Sequence, residues 1–237
     1  LQERMPRREI FIKEYEEIEM PDLEEGRKHQ EIQARRTFRT PHTVIPETVL
    51  LSNGNYTVML TNSGGGFSQY MGQVITRWRE DTTRDDWGMM FYITNLNSND
   101  YWSAAYHPAA ILPEDYKVVF ETDRAAFNRK DGNIETRMEV VVSPEYNGEV
   151  RRISLTNHGG NGRMMEVTSY FEVVLASFAA DLAHPAFSNL FVQTEFLPEK
   201  NTLLATRRPR DKKQKSLWMF HTVTAEGETV GSLQYET

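Results

Sequence analysis

The chain has 237 residues, 39% of them hydrophobic, a formal net charge of −7 from 27 Lys and Arg against 34 Asp and Glu, and no Cys. That length suits one large domain or two small ones that bury roughly 70–75% of their unfolded surface, and the composition excludes a disordered polyampholyte. The acidic balance argues against nonspecific nucleic-acid binding, the lack of any apolar run near ~20 residues argues against a membrane-spanning helix, and missing Cys removes disulfides, thiolate catalysis and zinc knuckles.

Residues 1–40 are dense in Glu, Arg and Lys, with Gly26 their single glycine. They read as a charged, partly helical lead-in. Its first residues, Leu1 to Arg8, are charged and lead into no apolar core, so no secretory signal peptide is expected and a cytoplasmic location fits. The chain does not open on Met, which suggests a piece of something longer. Thr40-Pro41 and Ile45-Pro46 then interrupt any helix, because Pro lacks a backbone donor and pushes the residue before it toward extended geometry. A domain boundary is expected near residue 41, with one β domain over 41–237.

From Val49 the apolar period becomes two. Tyr56, Val58 and Leu60, then Tyr116, Val118 and Phe120, then Met138, Val140 and Val142, alternate with polar neighbours as half-buried strands do. Further strand runs are predicted at 151–155, 166–175, 190–196 and 217–223, and turn-forming clusters fall at 52–55, 131–133, 143–148 and 157–162. Strands this close together leave no room for helical crossovers, which predicts an antiparallel sandwich. Arg207 to Lys215 is the one basic cluster and reads as an exposed hairpin loop.

Several segments can carry chemistry. Ser63-Gly64-Gly65-Gly66-Phe67-Ser68 follows a strand, and consecutive glycines let the backbone approach another group where a Cβ would collide. It lacks the Gly-Lys-Ser/Thr ending of a phosphate loop, so a structural hairpin and a ligand-facing loop both remain open. Arg77-Trp78-Arg79, Asp85-Asp86-Trp87 and Tyr101-Trp102 set aromatic rings beside charged groups, the equipment that stacks and hydrogen-bonds sugars; packing in the core is the competing reading for each ring. Strand alternation puts Arg77 and Arg79 on the face opposite Trp78, where they and their acidic neighbours read as a surface ion-pair network. Adjacent pairs such as Asp85 and Asp86 point to opposite strand faces, so they make poor acid and base partners for glycoside cleavage. Asp181, His184 and Ser188 lie close together in a segment read as an irregular loop without a nucleophile elbow, and the six His show no metal-ligand spacing.

The run from Leu50 to Ser68, with Ile75 to Asp81, Asp86 to Gly88, Tyr101 to Ser103, Glu166 to Glu172, Asp181 to Phe187, Leu190 to Glu195 and Arg207 to Arg210, closely resembles the phosphorylase-like part of bacterial cyclic β-1,2-glucan synthases. That part is related to the cellobiose and chitobiose phosphorylases of glycoside hydrolase family 94. The resemblance implies an antiparallel β-supersandwich of the galactose mutarotase-like kind, built to pack on an (α/α)6 barrel that carries the general acid and is absent from this chain. It implies a non-catalytic, carbohydrate-binding accessory domain without a cofactor of its own, the parent using inorganic phosphate or glucose 1-phosphate. It further implies that Ser63, Gly64, Gly65, Gly66 and Ser68, the strand Arg77, Trp78 and Arg79, and Asp181, His184 and Phe187 border the acceptor-sugar subsites, with Trp102 a further candidate. In cellobiose-specific members an Arg of the third stretch touches the acceptor; here His184 to Ser188 contains none, and Phe187 is the candidate to stack on a sugar instead. The implied partners are a β-1,2-linked glucan, the parent's barrel and a second copy in a homodimer, with no nucleic acid and no direct membrane contact, although the parent synthase is expected to be anchored at the inner membrane with this part on the cytosolic side. The alternative is an autonomous carbohydrate-binding module.

Overall fold

The computed structural model describes residues 35–81, 83–183, 185–209, 216–227 and 230–237, so the helices expected in the lead-in lie outside the described residues. Sixteen antiparallel strands form four sheets among them. The first sheet orders β1 (Arg36–Phe38), β8 (Asp115–Phe120), β9 (Arg124–Asp131), β10 (Ile134–Val142) and β11 (Glu149–Asn157) as β1-β8-β9-β10-β11. A second orders β13 (Val173–Ser177), β5 (Gln73–Thr76), β4 (Gly66–Tyr70), β3 (Tyr56–Thr61) and β2 (Thr48–Ser52) as β13-β5-β4-β3-β2. Two three-stranded sheets complete the fold: β12 (Met165–Tyr170) with β6 (Met90–Asn95) and β7 (Asp100–Ser103), and β14 (Val192–Leu197) with β15 (Thr202–Arg207) and β16 (Trp218–Thr222).

The two-residue period decides which side chains meet. Val58 and Leu60 of β3, Val118 and Phe120 of β8, Phe127 of β9, Met138 and Val140 of β10, and Ile93 of β6 enter one shared core. Each buried aliphatic or aromatic side chain there stabilises the fold by about 1.5–3 kcal/mol relative to exposure. Polar side chains join the layers where the core would otherwise leave donors unpaired. The Trp102 indole donates to Thr136 Oγ1 at 3.1 Å, and the Tyr116 hydroxyl to the Asn62 carbonyl at 2.8 Å. Burial pushes the phenol of Tyr116 well up, so it remains a neutral donor.

Three expectations change. β1 precedes Thr40-Pro41 and pairs with β8, Phe38 opposite Val118, so sheet backbone begins on the N-terminal side of the proline break. Its apolar anchor is Phe38, whose ring meets Phe120 at 5.4 Å. The run 166–175 is two strands, β12 and β13, which pair in different sheets. The segment read as a loop around Asp181 is helical, with α1 over Phe178–Ala183 and α2 over Pro185–Ser188.

Candidate functional site

β5 continues into Arg77-Trp78-Arg79, and the Arg77 N–H donates to the Glu172 carbonyl at 2.9 Å. The alternation expected for this segment is realised, but the arginine face is not on the surface. Both guanidinium groups converge on Asp181 of α1, which is 1% exposed: Arg77 Nη2 lies 3.2 Å from Oδ1 and Arg79 Nη1 2.5 Å from Oδ2. Arg77 also pairs with Glu172 through Nη1 and donates to Asn189 Oδ1 at 2.7 Å. Burial pushes the Asp181 carboxyl up, but hydrogen bonds from Arg79, Ser188 and Arg77 outweigh it and hold the group below the usual carboxylate range. A carboxylate held ionised and occupied by two guanidinium groups is a clamp; a proton donor at neutral pH needs a raised pKa.

Arg207 anchors Ser188, which in turn hydrogen-bonds Asp181. Its Nη1 donates to the Val174 and Ser188 carbonyls at 3.0 Å each, and its guanidinium lies over the Phe191 ring at 5.4 Å. The residue is buried, at the end of β15, so it does not belong to an exposed basic loop; Arg210 to Lys215 lie outside the described residues. The available signal was its position one strand period beyond the buried Ala205.

On the other face of the strand, Trp78 is half-buried, edge-on to Phe67 at 5.7 Å and tilted against Phe178 at 6.2 Å. Phe178 and Asp181 both sit on α1, so the helix contributes one ring to the aromatic group and one carboxylate to the clamp. Phe187 on α2 is 60% exposed. His184 lies outside the described residues.

The glycine loop is placed differently. Ser63, Gly64, Gly65, Gly66 and Ser68 are buried, and the close approach their missing side chains permit is to their own chain. A Cβ on Gly64 would stand 2.3 Å from the Ala105 Cβ, one on Gly65 2.0 Å from Asp85 Oδ1, and one on Gly66 1.9 Å from the Met59 carbonyl oxygen. Asp85 in turn accepts from Ser63 Oγ at 2.7 Å and from Thr61 Oγ1, while Ser68 Oγ donates to Glu149. These contacts are those of the structural hairpin, one of the two readings left open by the sequence. Trp102 is likewise core, 4% exposed, and its place at the surface is taken by its neighbour Tyr101.

Among the described residues no three His, Asp or Glu stand where they could hold a metal ion, and no helix is long and apolar enough to cross a membrane.

Residues 32–237 match the family profile described as Glycosyl hydrolase 94, supersandwich domain. Over 202 residues the chain is 36% identical to the Cyclic beta-(1,2)-glucan synthase NdvB of Rhizobium meliloti (strain 1021), an alignment covering 85% of this chain and 7% of that protein. It is 22% identical over 163 residues to the N,N'-diacetylchitobiose phosphorylase of Vibrio proteolyticus and 22% identical over 161 residues to that of Vibrio furnissii, covering 67% and 66% of this chain and 20% of each relative. The chain thus spans at most a fifth of the length of these relatives. The match runs from before β1 to beyond β16 and agrees with the layered antiparallel sheets, and the chain belongs to the glycosyl hydrolase 94 supersandwich domain family.

Proposed function

We propose that this chain is the non-catalytic sandwich wall of a cyclic β-1,2-glucan synthase or β-glucan phosphorylase, bordering the acceptor-sugar subsites of a phosphorolytic active site carried elsewhere in the parent. The observation that carries the reading is the half-buried ring of Trp78, held with Phe67 and Phe178 on a strand whose other face is locked by the Arg77–Asp181–Arg79 clamp. A rigid, partly exposed aromatic surface stacks against the C–H face of a pyranose at small entropic cost, because its rotamers are fixed before the sugar arrives. Phe187, exposed on the adjoining short helix, is a further ring open to a sugar.

Two carboxylates beside this strand are already engaged: Asp181 with two arginines, Glu172 with Arg77. In the parent, inorganic phosphate would attack the anomeric carbon with inversion as the glycosidic C–O bond breaks, the shortened glucan leaving as an alcohol protonated by a general acid and α-glucose 1-phosphate forming, on groups supplied elsewhere in the parent. The wall's part is to seat the acceptor sugar, to pack on the catalytic barrel and to contribute to a dimer.

The deciding assay incubates the 237-residue chain with β-1,2-glucan and inorganic phosphate. No glucose 1-phosphate is expected, and phosphate-dependent release would overturn the proposal. Calorimetry with β-1,2-gluco-oligosaccharides separates the alternative, an autonomous binding module: affinity in the chain alone that disappears in Trp78→Ala favours the module.

A further inference from the structure

A surface cleft with both polar and apolar walls lies outside the Asp181 region and shares no residue with it. It has a volume of about 670 Å³ and is bounded by the β6–β7 turn, the loop before β8 and the β9–β10 turn. That volume falls within the roughly 300–1,000 Å³ of small-ligand sites.

The walls are fixed by their own hydrogen bonds. In the β6–β7 turn the Asn99 N–H donates to the Asn95 carbonyl at 2.7 Å, and Asn97 Oδ1 accepts from the Met164 N–H at 2.7 Å. The loop before β8 is tied to β9 by the Glu114 N–H donating to the Lys130 carbonyl at 2.8 Å. In the β9–β10 turn, Asp131 is gripped through both oxygens by the buried Arg129, at 2.7 and 2.6 Å, and the Asn133 carbonyl accepts from the His158 N–H at 2.8 Å. Trp102, Ile111, Leu112 and Ile134 supply the apolar part of the lining, and the polar side chains divide into two kinds. Asp100 and Asp131 are occupied by Ser98 and Arg129. The amides of Asn99 and Asn133 and the guanidinium of Arg163 make no hydrogen bond or ion pair among the described residues, and Tyr101, also lining the cleft, is 55% exposed.

This inventory selects a ligand class. An anion would meet three acidic side chains, Asp100, Glu114 and Asp131, against the single cation Arg163. A metal ion would find no three-ligand group. A neutral polyol with one C–H face matches it: amides and a guanidinium supply donors and acceptors to hydroxyls, and a tyrosine ring supplies the stacking plane. We infer that this cleft is a second carbohydrate-binding site, taking a neutral gluco-oligosaccharide across Tyr101 with hydroxyls bonded by Asn99, Asn133 and Arg163. The choice of a β-1,2-linked glucan as probe rests on the function proposed above; the location does not.

The test follows backbone amide resonances of the full chain during titration with a linear β-1,2-gluco-oligosaccharide, using wild type, Tyr101→Ala, Tyr101→Phe and Trp78→Ala. Shifts at Asn99, Tyr101 and Asn133 are expected. Tyr101→Ala should weaken the affinity read from those shifts about tenfold, Tyr101→Phe much less, and Trp78→Ala should leave it unchanged. Shifts confined to the surroundings of Trp78 and Phe178 would overturn the inference while leaving the acceptor-wall reading in place. Unperturbed cleft resonances at millimolar sugar, or cleft affinity untouched by Tyr101→Ala, would overturn it as well.

Discussion

The glycine loop at 63–66 and the Arg77-Trp78-Arg79 strand are both short, chemically suggestive segments, and the structure uses them in opposite ways. In the loop, the space left by missing side chains is filled by Ala105, Asp85 and the Met59 carbonyl, so closeness serves packing. In the strand, one face is spent on a buried ion cluster with Asp181, which leaves Trp78 fixed and half-buried on the other. The difference teaches that a run permitting close approach says nothing about what approaches, whereas strand alternation commits neighbouring side chains to opposite environments and makes one of them available.

The sharpest way to break the comparison is to put a methyl group into the loop. Gly66→Ala sets a Cβ 1.9 Å from a backbone oxygen that cannot swing aside, at φ +156°, and should destabilise the fold by more than about 4 kcal/mol in denaturant unfolding. Gly148→Ala is the control: its Cβ meets nothing within 4 Å, and a change within about 0.5 kcal/mol is expected. A neutral Gly66→Ala would mean that the loop is open after all.

The clamp comes next. Asp181→Ala leaves Arg77 buried without its central partner and should cost about 3–5 kcal/mol, read as a fall in the unfolding midpoint. Because the carboxyl is held below its ordinary pKa, the unfolded chain binds the proton first. The stability Asp181 contributes is therefore fully present above about pH 3.9 and is lost as pH falls toward its lower folded value, a loss that Asp181→Asn should remove from the acid unfolding curve.

The tryptophans sharpen the contrast further. Trp102→Ala opens a core cavity and unpairs Thr136, for about 3–5 kcal/mol, whereas Trp78→Ala should cost only about 1–2 kcal/mol, since the ring is half-buried and its edge contact with Phe67 is worth about 0.5–1.5 kcal/mol. Equal losses in thermal unfolding would contradict the different placement of the two rings.

The smallest effect belongs to His221, 3.0 Å from Ser169 Oγ and edge-on to Phe171. Burial lowers its pKa against the opposing attraction of Glu149. As pH falls below about 6.5 the unfolded chain protonates before the folded one, so stability should decline with a slope of at most about 1.4 kcal/mol per pH unit. His221→Gln should flatten that decline in urea titrations. His107, whose pKa burial also lowers, limits how far it flattens.

Much of the fold was legible in the residues. Alternation located β3, β8, β10, β11 and β16, and Asn, Gly and Pro clusters located the turns between them, because both signals are local. β15 went unseen since Thr202 to Arg207 ends on a charged residue whose burial depends on groups from elsewhere in the chain, among them Val174, Ser188 and Phe191. The same limit applies to the site. Placing Arg77 and Arg79 on one face was a local inference and correct, but their partner Asp181 lies 104 residues further on from Arg77, which turned an expected surface network into a buried clamp.

By itself, then, the order of amino acids determined an antiparallel β architecture, the turns, the family and the opposition of arginine and tryptophan along one strand. Only the tertiary structure decided which of these features face solvent: that the glycines close on Ala105, Asp85 and the Met59 carbonyl, that Trp102 is core while Tyr101 is surface, and that Asp181 is paired with two buried or half-buried arginines. The reason is physical. Backbone conformation and strand period arise from neighbours within a few residues, but burial and ionisation depend on side chains brought together across the sheets by the core, and no local pattern encodes that company.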